Sequence, residues 1–263
     1  MPELPDVEVY KRYFDSTALH NVIDDVDVRS PLLLDDTSPS ALQQGLRGTA
    51  VEETRRHGKH LFARLGTGQW LALHFGMSGR LVYYEHNGPK SEYEYVRIHF
   101  ENGYCLALVM PRKLGRVRLI DDPYAFIADQ HLGPDALLLQ ASTFSAQLEG
   151  RRGMIKSALM DQTVIAGLGN VYSDEVLFQA GLHPRTRVHD LTEADHQALF
   201  EALQDVLITA IRCKADPDQM PTDRFLLAHR QSDRIDPYSG TALEKIRVSG
   251  RTGYYSPARQ PAR

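Results

Sequence analysis

Leu132-Gly-Pro-Asp135 divides this chain into two textures, and that division decides the fold class. A Gly-Pro step ends whatever element precedes it. Upstream, short runs alternate apolar and polar residues, as in Val22-Ile-Asp-Asp-Val-Asp-Val-Arg29. Alternation of this kind is the pattern of a half-exposed strand. Further strands are expected over 51–57, 60–65, 69–75, 79–85, 94–100 and 104–110, many of them parted by glycines such as Gly58, Gly66, Gly76 and Gly103. Short strands at such spacing predict an antiparallel sandwich or barrel. Downstream, from about Gly153, apolar residues recur at helical spacing. Helices are expected over 151–160, over 171–180 with a stop at Gly181 and Pro184, and from Thr192 to about Ala215. Thr192 suits an N-cap, with Leu199, Leu203, Val206, Ala210 and Ile211 on the buried face. The tail from Phe225 is basic and short-stranded, with Val248-Ser-Gly-Arg-Thr-Gly253 as a hairpin tip. The fold class is therefore α+β in two domains, the boundaries falling at 1–135, 136–222 and, for the terminal hairpin, 223–263.

Composition narrows the setting. The chain has 263 residues, enough for one large or two ordinary domains with proper cores. It has no apolar run long enough to span a membrane and no leader pattern. Cys105 and Cys213 are the only cysteines, and they form no CxxC pair, so neither a disulfide framework nor a zinc site is expected from them. The net charge of −4 does not announce a nucleic-acid binder, but its distribution is uneven. Residues 1–50 hold nine acidic and four basic side chains, whereas 55–118 hold four acidic and eleven basic, and 223–263 four and eight. Two basic segments suit the lining of one groove; they equally suit solvated faces.

The amino terminus, Met1-Pro-Glu-Leu-Pro-Asp-Val-Glu-Val-Tyr10, carries the sharpest chemistry. Methionine is usually trimmed before so small a second residue, which would leave Pro2 as a secondary amine. An α-amino group titrates well below a lysine, so a useful fraction is uncharged near neutrality and nucleophilic. Glu3 and Glu8 bring carboxyl groups near that amine as proton donors. The same residues also suit a plain helix start, with Leu4, Val7, Tyr10 and Phe14 facing the core. Elsewhere, Gly167-Leu-Gly-Asn170 at a helix start offers bare N–H groups and the Asn170 amide to a phosphate, or merely a tight turn. Arg55-Arg-His-Gly-Lys-His60 reads as a basic hairpin. Met77 in His74-Phe-Gly-Met-Ser-Gly79 and Leu114 in Pro111-Arg-Lys-Leu-Gly-Arg116 are apolar residues in Gly-flanked loops, suited to packing or to prying apart a base stack.

Taken in order, Pro2–Glu8, Gly58-Lys59, His74–Gly79, Pro111–Gly115, His131–Pro134, Lys156, Gly167–Asn170 and Gly181-Leu-His-Pro184 resemble the formamidopyrimidine-DNA glycosylase/endonuclease VIII family across essentially the whole chain. The resemblance implies a helix-bearing N-terminal β-sandwich, a helix–two-turns–helix domain, and a bifunctional glycosylase and abasic-site lyase of base-excision repair. On matching positions it implies Pro2 as nucleophile at C1′, Glu3 as the acid assisting sugar-ring opening and Lys59 on the backbone near the lesion. It implies phosphate or backbone contacts at His74, Lys156, Asn170 and Arg251. Met77, Arg112 and Leu114 would fill the gap left by an extruded nucleotide. The partner implied is damaged double-stranded DNA, bound by a monomer without cofactor or membrane, in the cytoplasm on the nucleoid. A non-catalytic damage-binding protein is the rival reading, disfavoured by the retained Pro2 and Glu3.

Three departures bear on specificity, and a fourth on metal. Asp6 replaces the usual Glu, Leu114 the usual Phe, and the segment 220–234 is short for a lesion-capping loop. These put 8-oxoguanine in doubt and raise formamidopyrimidines, oxidised pyrimidines and further-oxidised purines. The family's four-cysteine zinc finger is replaced by Asp236, Ser239, Ser256 and Arg259. A zincless finger is expected, held by packing of Tyr238, Leu243, Ile246, Tyr254 and Tyr255.

Overall fold

The computed structural model describes residues 1–88, 90–230 and 234–262. They form two compact units: Met1–Pro2 with Asp6–Gln130, and Glu3–Pro5 with His131–Arg263.

In the first unit, helix α1 (Leu4–Thr17) precedes strand β1 (Ile23–Val28) and helix α2 (Pro39–Leu46). Seven strands follow: β2 (Val51–His57), β3 (His60–Leu65), β4 (Trp70–His74), β5 (Arg80–Glu85), β6 (Glu94–Phe100), β7 (Tyr104–Val109) and β8 (Arg116–Ile120), then helix α3 (Pro123–Asp129). They make two antiparallel four-stranded sheets, ordered β1-β6-β7-β5 and β2-β3-β4-β8. Alternate residues of both sheets, among them Val26, Leu61, Leu73, Ile98, Leu106 and Val117, bury against Val7 and Phe14 of α1. That is the expected sandwich, with β8 added. Arg116-Val-Arg-Leu-Ile120 was not expected as a strand because it follows directly on a glycine loop and carries two arginines. A second, smaller cluster of Phe62, Trp70, Ala72 and Ile120 packs with Phe126 of α3.

The second unit holds α4 (Ala141–Leu148), α5 (Ile155–Met160), α6 (Asn170–Gln179), α7 (Glu193–Arg212), α8 (Leu226–His229) and the hairpin β9 (Glu244–Val248) and β10 (Arg251–Tyr255). Helical structure thus begins earlier than Gly153, and α5 is shorter than expected. Thr192 caps α7 as anticipated, and Asp195 reciprocates to complete a capping box. Leu199, Leu203, Val206 and Ala210 of α7 bury against Val176 and Leu177 of α6. The hairpin turns at Ser249-Gly250, both at positive φ, and Arg251 pairs with Val248 across that tip. Residues 231–233, within the short segment 220–234, lie outside the described residues.

Candidate active site

The two glycines of Gly167-Leu-Gly-Asn170 are there for close approach. A Cβ on Gly167, which sits at φ +125°, would lie 2.5 Å from Leu4, and one on Gly169 2.5 Å from the Glu3 carboxyl carbon. Glu3 is 1% exposed. Its Oε2 accepts the N–H of Gly169 at 2.6 Å and of Tyr172 at 3.2 Å, and its Oε1 accepts that of Val171 at 2.9 Å. The bare N–H groups at the start of α6 therefore hold a carboxylate of the chain itself. This corrects the phosphate cradle offered for them from sequence. A carboxyl group suits that place for the reason a phosphate would: its oxygens accept from N–H groups that have no partner within the helix.

Asn170 turns its amide the other way, donating from Nδ2 to the carbonyl of Thr252 in β10 at 2.8 Å. It thereby stands one residue from Arg251, which is exposed at the hairpin tip. Structure brings these two expected contacts together. Lys156 is different. It is 0% exposed, and its Nζ donates to the Asn170 carbonyl at 3.1 Å, to Ser173 Oγ at 3.0 Å and to Asp174 Oδ1. Burial pushes the ammonium below its ordinary range, against the pull of Asp174. The direct phosphate contact expected for Lys156 is corrected to an internal tie. Asp174, fully buried, also accepts from Arg230 Nη2 at 3.0 Å and from the Tyr254 N–H at 3.1 Å. A Cβ on Gly253 would run into its carboxylate. Asp174 thus anchors β10 to α6, a role no sequence motif marked.

In the first unit Gly58, at φ +54°, and Lys59 make the turn between β2 and β3, with Lys59 buried beside the cross-strand pair His60 and His74. Burial first, then the charges of Lys59 and Arg116, lower His74 to about 4. His74 is therefore a neutral imidazole at physiological pH. Glu8 accepts from Arg12 and Arg56, each at 3.1 Å. The two apolar loops do meet. A Cβ on Gly76, at φ +59°, would lie 2.5 Å from the Leu114 carbonyl oxygen, and Arg112 Nη1 donates to Met77 Sδ at 3.5 Å. Met77 is 37% exposed and Leu114 50% exposed. Pro2 is buried in the same unit.

The finger positions also needed revision. Asp236 and Ser256 are fully buried. Asp236 Oδ2 accepts from Ser256 Oγ at 2.5 Å and Ser239 Oγ at 2.8 Å, while Oδ1 accepts the Tyr238 N–H at 2.8 Å. Burial alone would raise this carboxyl, but those hydrogen bonds outweigh it and hold Asp236 below its ordinary value. Ser256 N–H donates to buried Gln260, whose amide reaches the Leu182 carbonyl at 2.8 Å. Arg259 donates to the carbonyls of Phe178 at 2.8 Å and Gln179 at 3.1 Å, and its guanidinium lies 4.2 Å from the centre of the Tyr238 ring. The donor set does not fit zinc: its one carboxylate is spent on hydrogen bonds, and a guanidinium replaces the fourth ligand. The expectation of apolar packing alone is thus half the account. Leu243 and Tyr254 do pack on Phe178 and Leu226, and a polar knot joins them.

Comparison with known proteins gives the family. Residues 1–117 match the formamidopyrimidine-DNA glycosylase N-terminal domain, and residues 132–221 the formamidopyrimidine-DNA glycosylase H2TH domain. The formamidopyrimidine-DNA glycosylase of Streptococcus pneumoniae R6 is 32% identical over 270 residues, covering 98% of each chain. That of Thermosynechococcus vestitus is 33% identical, covering 99% of this chain and 98% of its own. The Lactococcus lactis Fpg solved with DNA containing an abasic site superposes with a TM-score of 0.88 at 25% identity, covering 99% of this chain and all of that one.

Proposed function

The chain belongs to the formamidopyrimidine-DNA glycosylase family, and from that premise we propose that it is a bifunctional DNA glycosylase and abasic-site lyase of base-excision repair. Its partner is damaged double-stranded DNA, bound by a monomer; placement in the cytoplasm on the nucleoid follows from that substrate. Among the described residues no helix is long and apolar enough to cross a membrane.

The observation that carries the reading is Glu3, a buried carboxyl fixed by three backbone N–H groups immediately after Pro2 in the chain. A damage-binding protein has no use for a carboxyl pinned beside a proline amine. With Met1 removed, the uncharged Pro2 nitrogen attacks C1′ of the damaged nucleotide, the C1′–base bond breaks with its electron pair leaving on the base, and the amine proton goes to that departing base. Glu3 delivers a proton to the sugar-ring oxygen, so that the ring opens and the nitrogen lone pair forms an iminium with C1′. Loss of a C2′ proton then expels the 3′ phosphate by β-elimination, and a second elimination releases the 5′ phosphate.

Lys59 of the first unit and the Asn170–Arg251 pair of the second each hold the DNA backbone, and His74 assists as a neutral donor. Met77, Arg112 and Leu114 take the place of the extruded nucleotide, offsetting the unstacking this chemistry requires. With Leu114 a smaller wedge than Phe, and Asp6 one methylene short of Glu, formamidopyrimidines, oxidised pyrimidines and further-oxidised purines stand level with 8-oxoguanine as substrates.

Borohydride trapping tests the reaction. Reduction of the iminium should cross-link the processed protein to abasic-site DNA, and Pro2→Gly should remove most cross-link while binding persists. Undiminished trapping by protein that retains Met1 would refute Pro2 as the nucleophile.

A further inference from the structure

The sheet β1-β6-β7-β5 carries a cluster of side chains that the proposed reaction does not use. His99 in β6 lies directly opposite Cys105 in β7, so the two leave the same face of the sheet. His86 follows β5, and its N–H donates to the Gly103 carbonyl at 2.8 Å, which fixes its backbone beside β7. The Nδ1 atoms of His86 and His99 are 3.0 Å apart. Cys105 Sγ lies 3.1 Å from His99 Nδ1 and 3.5 Å from His86 Nδ1. Behind His99, Nε2 is 3.0 Å from Oδ2 of Asp27, on the neighbouring strand β1. Cys105 is fully buried, His99 nearly so, and His86 is exposed at the mouth. Arg97 nearby is matched by Glu94 at 2.8 Å and Asp27 at 3.5 Å, so no bare cation faces the cluster from that side chain.

Two imidazole nitrogens and a thiol that converge on one point are a donor set for zinc. Ligand bonds of about 2.0–2.1 Å to nitrogen and about 2.3 Å to sulfur, at tetrahedral angles, put neighbouring donors about 3.3–3.6 Å apart. The three atoms come within a few tenths of an ångström of that spacing. The carboxylate behind His99 matters as much. An Nε2–H held by Asp27 leaves Nδ1 with its lone pair facing inward, the arrangement that orients metal-ligating histidines. It also crowds a pure hydrogen-bond cluster, since the two shortest contacts, from His86 and from Cys105, both fall on that one lone pair.

We propose that His86, His99 and Cys105 form a binding site for one zinc-class divalent ion, with Asp27 as positioning residue and water as the fourth ligand at the open side. Binding transfers the Cys105 thiol proton to solvent and requires both imidazoles to carry their N–H on Nε2. The ion would tie together β6, β7 and the end of β5. The sequence offered no hint of this, because the ligands meet through strand pairing rather than through any spacing motif.

Cobalt serves as the probe. The full chain, stripped of metal by a chelator and dialysed, is titrated with Co²⁺. One ion per chain should bind, with a thiolate-to-cobalt charge-transfer band in the near ultraviolet that Zn²⁺ abolishes by competition. Cys105→Ser should remove the band, Asp27→Asn should weaken affinity by ~10–100-fold, and Cys213→Ser should change neither. A missing band at stoichiometric cobalt, or one that survives Cys105→Ser, would overturn the proposal. Should Cys105→Ser fail to fold, exposed His86→Ala decides instead: a folded His86→Ala protein with undiminished cobalt affinity overturns it equally.

Discussion

At Glu3 one carboxyl caps α6 and is also the proposed proton donor for ring opening. Glu3→Gln keeps an acceptor for two of the three N–H groups but has no acidic proton to give. Base excision in single-turnover assays should fall by ~10²–10⁴-fold, the usual worth of a positioned general acid, with only a small loss of melting temperature. Unchanged excision would remove Glu3 from the reaction. Lys156 and Arg251 separate in the same way. Arg251→Ala should lower the slope of log affinity against log salt by about one, the release of a single counterion. Lys156→Ala should leave that slope alone and instead cost about 3–5 kcal/mol, because the buried Asp174 loses a charge partner. A salt slope that falls with Lys156→Ala would restore the phosphate contact. The sequence made Glu3, Asn170 and Arg251 visible because they sit in short fixed motifs. Asp174 was not visible: an acidic residue inside a helix reads as a solvated one, and only the tertiary packing of Lys156, Arg230 and β10 around it shows otherwise.

Among the elements, the terminal hairpin shows how a cross-link is replaced. Its expected turn, Val248 to Gly253, is found, and Asp236, Ser239, Ser256 and Arg259 are joined by hydrogen bonds. What could not be read was the knot they form, since Gln260 lies outside the four positions and the carbonyls that Arg259 grips belong to α6. The short helices α2, α3 and α4 escaped for a related reason: one or two turns carry too few apolar repeats to show a helical period. Asp236→Ala leaves the buried Ser256 hydroxyl without its acceptor, and with it the Ser239 hydroxyl and Tyr238 N–H at the edge of the knot. Unfolding measured in urea should show a loss of about 2–3 kcal/mol, the scale of buried polar groups left unsatisfied. Activity should fall with it as Arg251 loses its footing, and Arg259→Lys should be a poor rescue because an ammonium cannot donate in the guanidinium's fork. A neutral Asp236→Ala would mean that apolar packing alone holds the finger.

For the molecule as a whole, the two units answer pH in opposite directions. In the first unit, burial lowers His60 to about 3 and His74 to about 4, from an ordinary 6.5. Neutral imidazole is the folded form, so their contribution is complete above about pH 6.5 and drains away as pH falls toward 4. In the second unit, Glu175 is fully buried where it accepts the N–H groups of Leu226 and Leu227, and burial raises it to about 7. Its contribution is complete below the ordinary glutamate value of 4.5 and is lost as pH rises through about 7. Hydrogen exchange resolved by segment should therefore show protection in β3 and β4 weakening between pH 6.5 and 4. Protection in α6 and α8 should weaken between pH 4.5 and 7, and Glu175→Gln should flatten that second trend. Parallel pH profiles in the two units would contradict this assignment.

The Glu3 cap has a spectroscopic use. Three amide protons, those of Gly169, Val171 and Tyr172, point into one carboxyl group. Their resonance frequencies depend on the charge of the acceptor, so they form a built-in reporter for the acid of the reaction. Labelling glycine alone with nitrogen-15 would bring the Gly169 signal into a sparse spectrum, where it could be followed as damaged DNA is added.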